Sequence, residues 1–419
     1  MIRRHERAPS GGPGLLRVRG VSSAHVTNME LFFDLVYVFA ITELTHPLLG
    51  RLTWLGAGQT LMLLLAVWWA WMYTAWVTNW FHPDAGPVRV MLLGTMLVSL
   101  IMSVTLPAAF GARGLEFACA YVVIQVGRTI FVVAAARESP VLRRNFQRIL
   151  VWSATAGVGW ICGGLVHGWA RGALWLAALA VDYAAPAAGF YTPGLGRSQT
   201  TDWSIAGGHL AERCQLFLII VLGESILDTG AAFGRLRITA APVAAFVLAF
   251  LTSVALWWIY FNRAADDSAE AIASAADPGR LGRSAYVYLH LPMVAGVILL
   301  AVADDLVIVQ PHGHGRPAET AVILGGPALF LAGHALFKRT VFGAFSAPRL
   351  AAIVVLAALI PVGSVAPPLV LLGAVTAVVA GVAVWDSRRF PKAGSRSRSA
   401  GEVGKVGSAV EVGEVGDGG

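Results

Sequence analysis

Runs of about twenty mainly apolar residues recur from residue 30 to residue 385, each long enough to cross a hydrocarbon core of ~30 Å. Inside lipid a backbone has no water to bond, so it must satisfy its own N–H and C=O groups. The chain therefore reads as an all-α polytopic transmembrane helix bundle of about twelve spans. These are placed at 30–49, 54–80, 88–110, 115–136, 146–166, 169–190, 209–231, 238–261, 284–309, 319–337, 349–365 and 367–385. A soluble chain of 419 residues would suggest two or three domains, but 57% apolar and 13% charged content overrides that expectation.

Three regions follow. Residues 1–27 form a basic N-tail expected to be mobile, 28–385 the transmembrane domain, and 386–419 a low-complexity C-tail expected to be disordered. No secretory signal is visible, because the basic start lacks a hydrophobic core and a cleavage site. Cys119, Cys162 and Cys214 fall in apolar spans without metal-ligand spacing, which predicts reduced thiols.

The net charge of +7 comes from basic residues scattered over short loops and tails, which argues for topology signals and against a nucleic-acid partner. With the N-terminus cytoplasmic, 23 Lys and Arg fall on the cytoplasmic side and 6 outside, with Arg128 and Arg213 inside the membrane. An even span count with both tails cytoplasmic is the expectation.

A weak internal similarity accompanies the spans. Glu30 with LFFDLVYVFAI parallels Glu212 with RCQLFLIIVLG, at an offset of 182; later matches drift to 187, 194 and 206. Six spans per half would make 28–200 and 201–385 a parallel repeat. Apolar helices also align with one another by chance, so the repeat stands beside that plainer reading.

The stretch 208–228 packs His209, Glu212, Arg213, Gln215, Glu224 and Asp228 into one apolar segment. Ionisable groups persist in a span when they face protein or water, so this helix belongs inside the bundle. Asp34, Glu212 and Arg213 are placed near one depth, with Arg128, Asp182, His290 and His334 somewhat deeper. Glu43, Glu224 and Asp228 form a second layer towards the other side. Arg128 is expected to pair with Asp182 or Asp34. Glu224, beyond mid-span, is a candidate for proton or cation binding.

The plainer readings are these. Glu30 and Glu212 serve as first-turn carboxylates at helix N-termini, His209 and Arg213 as an i,i+4 pair, and His290 as a packing residue beside a Pro292 kink. The aromatic run AVWWAWMYTAW is read as lipid- and bundle-facing bulk. His312 and His314 alone make a poor metal site. No phosphate-binding loop, zinc motif or nucleophile–base motif is present, so no cofactor, metal or catalytic residue is assigned.

The segments ELFFDLVYVFAI, HLAERCQLFLIIVLGESIL, YVYLHLPMVAGVILLAVADDL and GHALFKR resemble the bacterial low temperature requirement protein A family, over residues 25 to 385. The resemblance implies a multi-span inner-membrane protein and assigns no residue a role. Three functions fit the residues. A secondary transporter would hold an unknown solute or ion at a site lined by spans one, four, seven and nine. A lipid-binding or sensory protein would need a groove open sideways. An intramembrane lipid enzyme would use His209 or His290 with Glu212. The lipid bilayer is the expected partner, and a homo-oligomer is compatible with the sequence.

Overall fold

The structure is a computed structural model, and it describes residues 15–17, 25–199, 207–262, 281, 283–313 and 315–389. His314, most of the N-tail and the C-tail beyond 389 lie outside the described residues. No strand ladder occurs among the described residues, only the isolated bridges Leu16–Phe81 and Thr192–Gly196.

Seven helices form the first half: α1 Asn28–Gly50, α2 Trp54–Trp80, α3 Gly86–Thr105, α4 Gly114–Val122, α5 Arg128–Ala135, α6 Pro140–Leu165 and α7 Trp169–Ala187. The second half holds α8 Gly207–Gly234, α9 Ala240–Phe261, α10 His290–Val309, α11 Pro317–Phe342, α12 Ala347–Ala358 and α13 Pro368–Arg389. A π-helical turn, Val123–Gly127, joins α4 and α5 into one span, and a second, Arg283–Tyr288, leads into α10. Local sequence sets the starts. Thr27 and Glu30 form a capping box on α1, Thr53 caps α2, and prolines open α6, α11 and α12. Gly343 ends α11 in the left-handed region, at φ 74°.

Among the described residues, eleven helices are long and apolar enough to cross a membrane. The remaining long helix, α7, has 19 residues and lower hydropathy because it carries Arg171 and Asp182. Both are buried, so the charges lower its hydropathy without meeting lipid. Arg171 donates to the carbonyls of Ala109, Gly111, Gly163, Gly164 and Val166, filling vacant acceptors around the turn after α3 and the end of α6.

Neighbour relations run alike in the two halves. In the first, α1 packs on α2 and α3, α3 on α4, α4 and α5 on α6, α6 on α7, and α7 returns to α2. In the second, α8 packs on α9 and α10, α10 on α11, α11 on α12, α12 on α13, and α13 returns to α9. The halves meet along α1 and α8, with α10 against both. At the α10–α11 crossing, a Cβ on Gly296 would lie 2.7 Å from the Gly326 carbonyl oxygen, so only glycine permits this approach.

The aromatic run of α2 turns largely into the bundle, the second of its two expected faces. Trp68, Trp69 and Trp71 are buried in the core, and two of the indoles act as hydrogen-bond donors: Trp68 to the Val287 carbonyl at 2.7 Å and Trp71 to Asp34 at 2.7 Å.

Candidate functional site

Polar side chains inside the bundle form three separate arrays. The first joins α1, α2 and α8 near the N-terminal ends of α1 and α8. Glu30 and Asp34 share one face of α1 at i,i+4 spacing, and His209 and Arg213 share one face of α8 at the same spacing. The two ladders meet rung by rung. His209 Nε2 lies 2.9 Å from Glu30 Oε1, and Arg213 donates to Asp34 through Nη2 at 2.5 Å and Nε at 3.1 Å. Arg213 Nη1 also reaches Glu30 at 3.2 Å and the Thr78 hydroxyl at 3.1 Å.

Residues 15–17, expected in a mobile tail, are strapped to the end of α2 and place Arg17 Nη2 3.3 Å from Glu30 Oε2. Asn79 Nδ2 lies 3.2 Å from His209 Nδ1, while Nε2 faces both Glu30 and Arg17 Nη2, the latter at 3.2 Å. Glu30, Asp34 and Arg213 have no exposed surface. The two-pronged Arg213–Asp34 contact is the strong form of such a pair. Every carboxylate oxygen here has a donor, so this array is electrically closed and suited to locking the halves together.

Glu30 is thus no water-screened surface acid, although it does cap α1 as its first-turn position suggested. Glu212, expected at the same depth, stays at the edge. Its side chain is 37% exposed and accepts from the Val26 N–H, with His25 3.8 Å away.

The second array lies within the first half. Arg128 and Asp182 do not form the expected ion pair, and Asp34 is taken by Arg213. Arg128 donates to the Ala70 carbonyl at 3.1 Å, to Thr74 at 3.0 Å and to Gln125 at 2.5 Å, with its guanidinium 5.3 Å from the centre of the Tyr73 ring. Asp182 accepts from Tyr121 at 3.0 Å and Trp160 at 3.2 Å. Gln125 links the two, donating to the Tyr121 oxygen at 3.0 Å. The charges are therefore the ends of a chain running Arg128, Gln125, Tyr121, Asp182. Gln125 sits in the π turn, whose extra residue turns its side chain between the other two.

The third array lies further along α1 and α8. Thr42 donates to Glu224 at 2.9 Å, and Asp228 follows one turn later. With Ile41, Ser225 and Ala301 they line a crevice of about 10 Å³ between α1, α8 and α10, room for about one water. Glu224 and Asp228 are half-buried. Asp228 stands in the field of Glu224, Glu43, Asp305 and His46, and Arg235 acts on Asp305. Carboxylates outnumber cations here, in contrast to the first array.

His290 joins none of these. Its Nδ1–H faces the Ala285 carbonyl at 3.2 Å and its Nε2 accepts from Tyr260 at 2.7 Å, so it is the packing residue of the plainer reading. Nearby, Arg349 donates to His334 Nδ1 at 3.1 Å and pairs with Asp386 at 2.6 Å.

The sequence reading missed Gln125 and Tyr121, which carry no charge, and Arg349, which it counted as a loop residue. It also passed over Asp304, although two adjacent acids in an otherwise uncharged apolar run were a legible signal.

Comparison with known proteins covers all three arrays except Arg17. The model of the family described as "Bacterial low temperature requirement A protein (LtrA)" matches residues 25–384. A protein of Rhizobium meliloti (strain 1021) named "Uncharacterized protein RA0937" is 36% identical over 326 residues, covering 77% of this chain and 80% of its own. No solved structure matches. With eleven helices among the described residues long and apolar enough to span a bilayer, and a family match over most of its length, this chain is a multi-pass membrane protein and belongs to the bacterial low temperature requirement A family.

Proposed function

We propose that the protein is a secondary transporter or related permease of the bacterial inner membrane, with both tails cytoplasmic, and that it binds a proton or small cation in the crevice between α1, α8 and α10. The observation that carries this reading is the contrast between the two arrays on the α1–α8 seam. The first, at Glu30, Asp34, His209 and Arg213, is fully paired. The second, at Glu224 and Asp228, holds half-buried carboxylates beside a crevice, with no arginine bonded to either among the described residues. A carboxylate kept in a span without a cation of its own attracts one. The like neighbour-relations of the halves suit a parallel repeat with its site at the interface.

The test is purified protein in vesicles loaded with a pH-sensitive dye, under an imposed membrane potential. Wild type moves protons, Glu224→Gln loses the flux, and the peripheral Glu212→Gln keeps it. Equal flux in wild type and Glu224→Gln removes Glu224 from the mechanism, and folded protein that moves no proton or monovalent cation rejects the reading.

A second reading, lipid binding, draws on one feature: an apolar groove of about 560 Å³ between α11 and α12, lined by Leu324, Ala328, Ile353, Leu356 and Ile360. Lipid retained through delipidation and lost in Ala357→Trp would favour it. The enzyme reading gains no such support. His209 is bonded to Glu30, His290 to Tyr260, and Glu212 stands apart from both.

A further inference from the structure

Asp304, on α10, is 1% exposed, and neither of its carboxylate oxygens has a hydrogen-bond partner among the described residues. Every other buried acid inside the bundle discussed above has donors: Asp34 takes Arg213 and Trp71, Asp182 takes Tyr121 and Trp160, and Glu30 takes Arg17, Thr27, His209 and Arg213. Among the described side chains, the elements packed against α10 offer Asp304 no charge within ion-pair distance. Glu43 and His46 on α1 face each other at 3.9 Å, Glu224 on α8 holds Thr42, and Asp228 faces the crevice. On α11, Glu319 is bonded to Arg316. The neighbouring Asp305 has Arg235 and His46 acting on it, while Asp304 has no hydrogen-bond partner among the described residues. Helices α2 and α9 carry no charged residue. His334, Lys338 and Arg339 of α11, and Asp386 and Arg388 of α13, belong to the opposite end of α10, where Gly333 packs on Met293 and Arg349 joins His334 to Asp386.

A bare carboxylate in this position would be charged, dehydrated and uncompensated, a state that proteins avoid by neutralising the group. A metal ion needs several ligands, and among the described residues no group of three His, Cys, Asp or Glu side chains is placed to hold one. A proton is the one cation that needs no further ligand. Asp304 also shares a face of α10 with Val297 and Ala301, which line the crevice, and lies about one turn beyond Ala301.

We propose that Asp304 is a proton-binding site. Its acid form is the one that this closed packing accommodates, and it exchanges its proton when α10 parts from α1, α8 or α11. The inference rests on the transport reading for its consequence, that this proton is a coupling ion, and not for the site itself.

The experiment has two arms. Infrared spectra of purified wild type should contain the carbonyl band of a protonated carboxylic acid, shifted in D₂O, and the isosteric Asp304→Asn should lack that component. In dye-loaded vesicles, Asp304→Asn should lose the proton flux of wild type by at least tenfold. An infrared spectrum unchanged by Asp304→Asn overturns the proposal whatever the flux. An assigned band together with undiminished flux in Asp304→Asn overturns the coupling role and leaves the transport reading intact. An assigned band with no flux in wild type supports the proton site and withdraws the transport reading. Because the infrared arm is recorded against wild type, Asp304→Glu supplies a second comparison if the asparagine variant does not fold: its acid band should move in frequency, and an unmoved band overturns the assignment.

Discussion

Thr42 on α1 and Glu224 on α8 share a 2.9 Å hydrogen bond, and they stand 182 positions apart, the same offset that relates Glu30 to Glu212. The bonds from His209 to Glu30 and from Arg213 to Asp34 each span 179 positions. The two helices therefore run parallel and nearly in register, so that a residue of one meets its sequence counterpart on the other. Two parallel repeats packed about a local two-fold axis would produce this pattern. We propose 28–200 and 201–385 as such repeats, with α1 and α8 at the axis.

Removing Arg213 should be the most damaging single change on this seam. Arg213→Leu leaves Glu30 and Asp34 buried with one guanidinium fewer, a loss of ~3–5 kcal/mol for breaking a buried pair from one side. Adding Asp34→Leu should restore part of that loss, and Arg213→Lys should not, since an ammonium cannot make the two-pronged contact. Thermal unfolding in detergent measures all three. An Arg213→Leu protein as stable as wild type would show that water reaches this array.

Arg128 should couple to Gln125 more strongly than to Asp182. Its direct bond is to Gln125, and Asp182 is reached only through Tyr121. Double-mutant cycles with Arg128→Leu, Gln125→Leu and Asp182→Asn should give a coupling energy of roughly 1 kcal/mol or more for the first pair and a smaller one for the second. A larger Arg128–Asp182 term would mean a direct ion pair after all.

Close approach of α10 and α11 makes a steric prediction. A methyl group at Gly296 meets the backbone of Gly326 and Phe330 at 2.7 Å, whereas one at Gly94 meets nothing within 4 Å. Gly296→Ala should cost about 1–3 kcal/mol through overpacking, and Gly94→Ala should be neutral or slightly stabilising. Equal melting temperatures for the two variants would contradict the crossing.

Topology is open to reporter fusions after residue 390 and within 310–316. The 23-to-6 distribution of basic residues predicts a cytoplasmic C-terminus and an external 310–316 loop. Activity of a periplasmic reporter at the C-terminus would reverse the assignment.

Span number, helical class and family were legible in the sequence, because a bilayer imposes its thickness on every apolar run and leaves the backbone few alternatives. That α8 lies inside the bundle was legible too, since lipid does not tolerate His209, Arg213 and Glu224 together on its side. Partner choice was not. Arg128, Asp182, Asp34 and Arg213 share a similar depth, and depth is all that a one-dimensional pattern reports. Which carboxylate faces which guanidinium depends on helix rotation and on neutral intermediaries such as Gln125, Tyr121 and Trp71, none of which stands out in an apolar chain. The tertiary structure alone decided that Asp34 takes Arg213, that Arg128 is held by neutral groups, and that Asp304 is left with no partner among the described residues, because a few tens of degrees about a helix axis separates a paired charge from an unpaired one.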